Sequence, residues 1–153
     1  MRSLPLLLLA AVTSTASADD ESPNLFYAQL LGTGGAYGVG YERTVAPRLA
    51  LGVVGSYAVI REQRIATVSP YLHATALRRG HNALFGELGA VATYSALLPT
   101  MDWRGTSTTG FGGVASIGWE HANRHVVVRI AVSVLAGAGQ AAPWGGVAVG
   151  ARP

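Results

Sequence analysis

The chain has 153 residues and no cysteine, with hydrophobic side chains at 50% of its positions and charged ones at only 12%. The missing cysteine excludes a disulfide framework. Eleven arginines, no lysine and eight acidic residues give a net charge of +3, without the basic, aromatic-rich run of a nucleic-acid-binding surface, so we expect no nucleic-acid partner and no basic patch.

The first 18 residues are predicted to be a signal peptide and not part of the fold. Arg2 supplies a positive start, residues 4–12 form a short apolar core, and Ala16-Ser17-Ala18 has the small-x-small pattern of a cleavage site. The apolar core is too short for a membrane-spanning helix, which needs about 20 residues. We therefore predict an exported chain whose mature part, residues 19–153, is one domain.

Residues 36–59 alternate in character with a period of two. Large apolar residues occupy every second position from Tyr37 to Tyr41, while small residues and Glu42 take the other face. After the break at Val45-Ala46-Pro47 the alternation resumes. Segments of about ten residues with this period, separated by turn residues, are typical of membrane-spanning β-strands.

Turn residues and alternation together predict eight strands. These are residues 24–32, 35–44, 48–59, 64–77, 83–96, 110–121, 125–136 and 143–152. The 135 mature residues (153 minus 18) leave about 17 for each strand and its connection, which suits the 9–11 residues of a tilted transmembrane strand. We predict an all-β, eight-stranded antiparallel up-and-down transmembrane barrel over residues 19–153, in a bacterial outer membrane.

A helical inner-membrane protein is the alternative for the uncharged stretch from Ile130 to Ala151. This stretch contains five glycines and Pro143, and its valines recur at every second position. Glycine and proline inside a helix cost about 1 and 3 kcal/mol relative to alanine. The composition therefore favours strands here.

Aromatic residues on the apolar face are predicted to form two interfacial girdles. The outer girdle would be Tyr37, Tyr57, Tyr94 and Phe111, and the inner one Tyr41 and Trp119. Amphipathic rings lie at the level of the lipid headgroups, so two such bands would mark the two surfaces of a membrane.

Three segments resemble the strand repeats of small OmpA/OmpX-type outer-membrane β-barrel domains. They are residues 38–42, 47–52 and 69–72. The resemblance extends over the mature chain as a pattern of residue classes, and it implies an integral outer-membrane barrel with membrane lipids as partners. We expect a monomer without a cofactor. Such barrels usually close on a C-terminal aromatic residue, whereas this chain ends in Arg152-Pro153.

The face opposite the apolar one is predicted to line a polar lumen. It collects Glu42, Tyr71, His73, Glu87, Glu120, Arg129 and Arg152. Isolated burial of a charge costs several kcal/mol, so these charges must be paired. Arg129 is predicted to be the hub of an ion-pair network with Glu87 and Glu120, and Arg152 to offset Glu42. A lumen filled in this way favours a structural or surface-interaction role without enzymatic activity.

Two other functions remain open for the lumen residues. The first is a small gated pore, since small inward residues would leave water-filled pockets, although eight strands normally enclose a filled interior. The second is a lipid-modifying enzyme. His73, Thr75 and Glu87 are spaced similarly to the His-x-Ser and distal Glu of the lipid A 3-O-deacylases, in which His activates the hydroxyl and Glu orients His. Thr75 replaces the serine of that family, and no set of side chains has metal-binding spacing.

Overall fold

The computed structural model describes residues 22–33, 35–60, 63–97 and 105–153. These residues form eight strands: β1 (Asn24–Gly32), β2 (Gly35–Ala46), β3 (Leu49–Ile60), β4 (Gln63–Arg79), β5 (Asn82–Leu97), β6 (Thr106–Ala122), β7 (Val126–Gly137) and β8 (Gln140–Ala151). Each strand pairs antiparallel with the next in sequence, and β8 pairs with β1 to close the barrel. The predicted eight-stranded antiparallel barrel is confirmed.

The barrel encloses polar side chains together with some apolar ones, and its outer face is formed by large apolar side chains. On β1, Leu25, Tyr27 and Gln29 are buried, whereas Phe26 and Leu30, on the opposite face of the strand, are exposed. The period of two in the sequence produces this difference because successive side chains on a strand point to opposite faces. The described residues contain no helix that is long and apolar enough to span a membrane. The segment considered as a helix, from Ile130 to Ala151, forms most of β7 and all of β8.

Pairs of tyrosine and glycine fill the lumen. Tyr27 lies directly opposite Gly40, and Tyr71 directly opposite Gly52. A Cβ atom added to either glycine would overlap the ring of the facing tyrosine. Small residues on one strand therefore make room for large ones on its neighbour, as a barrel of eight strands requires.

The strand ends agree with the prediction to within a few residues, except at two places. β6 begins at Thr106 instead of residue 110, and β8 begins at Gln140 and includes Pro143. Proline fits there because the pairing of β8 with β1 extends only as far as Val147, so the side of β8 that faces β1 is unpaired at Pro143. The predicted signal peptide, residues 1–18, lies outside the described residues.

A bulge near the end of β4 changes which side chains point inward. Thr75 pairs with Phe85, but Leu77 pairs with Leu84, so Ala76 is an extra residue in the ladder. Simple alternation from Thr75 would point Arg78 outward. The bulge instead places Arg78 opposite the inward-facing Ala83.

Candidate functional site

The charged residues of the lumen meet in one cluster, which we call the lumen network: Glu42, His73, Glu87, Glu120 and Arg129. Glu120 of β6 and Arg129 of β7 are direct cross-strand partners, as are His73 of β4 and Glu87 of β5. Glu42 reaches the cluster from β2. Arg129 and Glu120 are only 5% and 1% exposed, so the cluster is removed from solvent.

Arg129 is the centre of the network. Its Nη1 and Nη2 atoms donate to the two carboxylate oxygens of Glu42 at 2.7 and 2.8 Å. Its Nε donates to Oε2 of Glu120 at 2.7 Å. The guanidinium carbon lies 5.5 Å from the ring centre of Phe85. A planar fork of N–H donors suits this arrangement, because arginine can bind two carboxylates with fixed geometry.

The pairing differs from the prediction at Glu42, which we expected Arg152 to offset and which binds Arg129. Arg129 makes a bidentate hydrogen-bonded ion pair with Glu42, whereas the nearest oxygen of Glu87 lies 3.9 Å from Nη1 of Arg129. Closure of the barrel brings β2 across the lumen from β7, and the sequence does not show which side chains then face each other. Arg152 follows the last residue of β8, and its backbone N–H donates to the carbonyl oxygen of His125.

Two tyrosines and a histidine complete the hydrogen bonding of the carboxylates. The Tyr71 hydroxyl donates to Oε2 of Glu42 at 3.0 Å, and it also contacts the Tyr27 hydroxyl at 2.8 Å. Nδ1 of His73 lies 3.2 Å from Oε1 of Glu87 and 3.8 Å from Oε2 of Glu42. Each carboxylate in the lumen thus has at least one polar or charged partner.

Sequence reasoning missed three residues around the network, of which Tyr27 reaches it through the Tyr71 hydroxyl. Tyr27 lies on the inward face, and sequence reasoning missed it because its side chain is largely apolar. Phe85 stacks against His73 with ring centres 4.8 Å apart. Arg78 contacts Oε1 of Glu120 at 3.6 Å, and only the bulge at Ala76 turns it inward. Tyr27 and Phe85 could have been found from their positions, because each is an aromatic residue on the face of its strand that carries small or polar residues.

A small cavity adjoins the network inside the barrel. Its volume is about 30 Å³, and Gln29, Thr33, Glu87, Arg129 and Ser133 contribute polar atoms to its lining. Each water molecule needs roughly 10–15 Å³ of cavity volume, so this cavity has room for about two water molecules. Within the described part of the chain, the buried Nε2 of Gln29 has no hydrogen-bond partner.

The residues considered for deacylase chemistry lie inside the barrel. His73 and Glu87 are in contact, as that chemistry requires, but among the described residues no hydrogen bond joins Thr75 to His73. One ligand atom each from Glu42, His73 and Glu87 lie within 4.8 Å of one another. The guanidinium group of Arg129 lies beside the same carboxylates, with Nη1 2.7 Å from Oε2 of Glu42 and 3.9 Å from Oε1 of Glu87.

The aromatic residues predicted for the girdles lie on the outer face. Tyr37, Tyr57, Tyr94, Phe111 and Trp119 are between 39% and 77% exposed. Tyr41, which is half-buried, donates its hydroxyl proton to Oδ1 of Asn24 at 2.7 Å and packs against Phe26, with ring centres 5.1 Å apart.

Comparisons with known proteins agree on the fold. The N-terminal β-barrel domain of Pseudomonas aeruginosa OprF superimposes with a TM-score of 0.68 at 8% identity, covering 85% of this chain and 95% of that domain. Ail, the attachment invasion locus protein of Yersinia pestis, gives a TM-score of 0.57 at 9% identity, covering 85% of this chain and 93% of its own. Ail in complex with the heparin analogue sucrose octasulfate gives 0.56 at 9% identity, covering 85% of this chain and 96% of that chain.

No protein-family model and no curated protein matches the sequence. The resemblance of the strand pattern to OmpA-type barrels is confirmed at the level of the fold.

Proposed function

We propose that the chain is an integral outer-membrane β-barrel protein with a structural or surface-interaction role, whose lumen is filled by the network around Arg129. The observation that carries the proposal is the apolar outer face. Large apolar side chains such as Leu88, Ile117 and Val132 are between 63% and 71% exposed. Soluble proteins seldom expose a continuous apolar surface of this kind, whereas a lipid bilayer covers it.

Two further features support residence in a membrane. Pairing of β8 with β1 from Val147 to Ala151 closes the sheet into a barrel, and lipid cannot satisfy the hydrogen-bonding groups of an open sheet. The aromatic residues near the strand ends lie on the same outer face as the apolar residues. With the chain termini on the periplasmic side, Tyr41 and Trp119 mark the inner surface, and Tyr37, Tyr57, Tyr94 and Phe111 mark the outer one.

The lumen favours a structural role over transport or catalysis. The network ties β2, β4, β5, β6 and β7 together across the interior through buried contacts, and the adjoining cavity is only about 30 Å³. Side chains that fill the interior leave the outer face and the loops as the surfaces for interaction.

The test is to refold residues 19–153 into lipid vesicles and to compare gel mobility before and after boiling. We expect the unheated protein to migrate faster, because a closed barrel resists detergent until it is heated. We also expect the chain to fractionate with the outer membrane of its bacterium. Recovery as a soluble periplasmic protein without detergent would contradict the proposal.

A small gated pore is the second candidate, and the polar cavity beside Arg129 is the observation that favours it. If the network is a gate, Arg129→Ala should conduct ions steadily in a planar bilayer while the parent protein does not. Under the structural proposal neither protein conducts steadily.

The lipid A deacylase alternative is less favoured, because His73 and Glu87 are buried in the lumen whereas lipid contacts the outer face. It predicts a His73-dependent loss of mass from lipid A.

A further inference from the structure

Six of the eight arginines in the described residues lie at one end of the barrel, where the first strand begins and the last one ends. They are Arg43, Arg48, Arg78, Arg79, Arg124 and Arg152, and we call them the basic collar. We call this end the terminal end. Arg64 lies at the opposite end, and Arg129 is in the lumen. The sequence predicts no basic patch because these arginines are scattered along it, and barrel closure brings them to one rim.

The collar has an excess of positive charge. The acidic residues among those described are Glu42, Glu87 and Glu120, and all three belong to the lumen network. Within the described residues, no carboxylate lies within ion-pair distance of Arg43 or Arg48.

Acidic residues that precede β1 do not remove this excess. Asp19, Asp20 and Glu21 lie before the first described residue in the sequence. Arg78 contacts Glu120 of the lumen network, which leaves five collar arginines. If Asp19, Asp20 and Glu21 each neutralised one of these five, two positive charges (five minus three) would still remain.

Two collar arginines point to the same side as the membrane-facing residues. Arg43 follows Tyr41 by two residues on the outer face of β2, and Arg79 follows the 62% exposed Leu77 by two residues on β4. Two residues span about 7 Å along a strand. If Tyr41 lies at the boundary of the hydrocarbon, Arg43 therefore reaches the level of the lipid phosphates, which is where a long basic side chain near a membrane places its charge.

We propose that the basic collar binds the anionic headgroups of phospholipids in the leaflet next to the terminal end, and so fixes the depth of the barrel in the membrane. This inference rests on the proposed function, since only a barrel in a bilayer presents its collar to lipid. Guanidinium groups bind phosphate oxygens through paired hydrogen bonds in addition to charge attraction.

The test measures the lipids that contact the protein directly. The full mature chain is reconstituted in phosphatidylcholine vesicles that contain a trace of nitroxide-labelled phosphatidylglycerol or nitroxide-labelled phosphatidylcholine, and electron paramagnetic resonance gives the immobilised fraction of each. We expect the parent to hold the anionic lipid in preference. Each basic residue near an anionic membrane surface strengthens binding to that surface by about fivefold. The variant R43Q/R48Q/R79Q should therefore lose most of the preference, whereas R64Q at the opposite end should keep it.

The outcomes separate this inference from the proposed function. Equal immobilisation of both labelled lipids by the parent overturns the collar proposal and leaves the membrane barrel standing. No immobilised lipid of either kind overturns both. An equal loss in R64Q and in the triple variant contradicts the assignment to the terminal end. If inorganic phosphate abolishes the preference while chloride of the same ionic strength does not, the site takes free phosphate, and the assignment to lipid fails.

Discussion

Arg129 is the residue on which the charge balance of the lumen depends. Replacing it with alanine leaves Glu42 and Glu120 buried without their main counter-charge. Removing one partner of a buried ion pair typically costs about 3–5 kcal/mol. We expect Arg129→Ala to lose about that much free energy of unfolding in a urea titration of the protein folded in vesicles. Arg64→Ala, at an exposed strand end, is the control and should change it by less than about 1 kcal/mol.

The three carboxylates of the lumen network differ in how much each contributes to the stability of the barrel. Glu42 receives two short bonds from Arg129, whereas Glu87 lies 3.9 Å from it and is bound mainly to His73. Glu42→Gln should therefore destabilise the barrel more than Glu87→Gln in the same titration. The reverse order would favour the predicted pairing of Arg129 with Glu87 over its pairing with Glu42.

At the scale of single residues, the sequence predicted the members of the network better than their partners. Parity alone identifies Glu42, Glu87, Glu120 and Arg129 as inward residues, because it depends only on local alternation. Which carboxylate meets Arg129 depends on the width of the barrel and on the side-chain conformations across it. Neither can be read from the spacing of residues along the chain.

At the scale of a strand, the assignment of faces can be tested by placing arginine at two depths on β7. Val132 is 63% exposed and lies in the middle of the strand, and Val126 is 45% exposed at its beginning. An arginine facing lipid costs about 2–4 kcal/mol at the membrane midplane and about 0–1 kcal/mol near the interface. Val132→Arg should thus be clearly less stable in vesicles than Val126→Arg. Equal stability of the two variants would contradict the membrane-facing assignment.

The predicted strand ends were accurate where polar turns interrupt the alternation, and less accurate where the chain departs from a regular ladder. The sequence predicts that the eighth strand begins at Pro143, yet β8 begins three residues earlier, at Gln140, and accommodates the proline because its side facing β1 is unpaired there. The bulge at Ala76 reverses the parity of Arg78 without any glycine or proline to indicate it. Both departures depend on pairing between strands, which a single strand's sequence does not record.

At the scale of the whole molecule, the barrel depends on the seam between β1 and β8. Along this seam Leu30 pairs with Val147 and Tyr27 with Gly150. Gly146 lies against the backbone of β1, and a Cβ atom added there would overlap the carbonyl oxygen of Leu31. That atom belongs to the backbone, so a larger residue cannot be accommodated by rotating a side chain.

Gly146→Val should therefore weaken closure of the barrel. Overpacking of this kind costs about 1–3 kcal/mol, and an open seam would expose unpaired backbone groups to lipid. We expect a smaller fraction of Gly146→Val to fold into vesicles as the fast-migrating form on an unheated gel. Gly110→Val is the matched control, because a Cβ atom at Gly110 meets no atom within 4 Å. If both variants fold to the same extent, the close approach of β8 to β1 at Gly146 is not needed for closure.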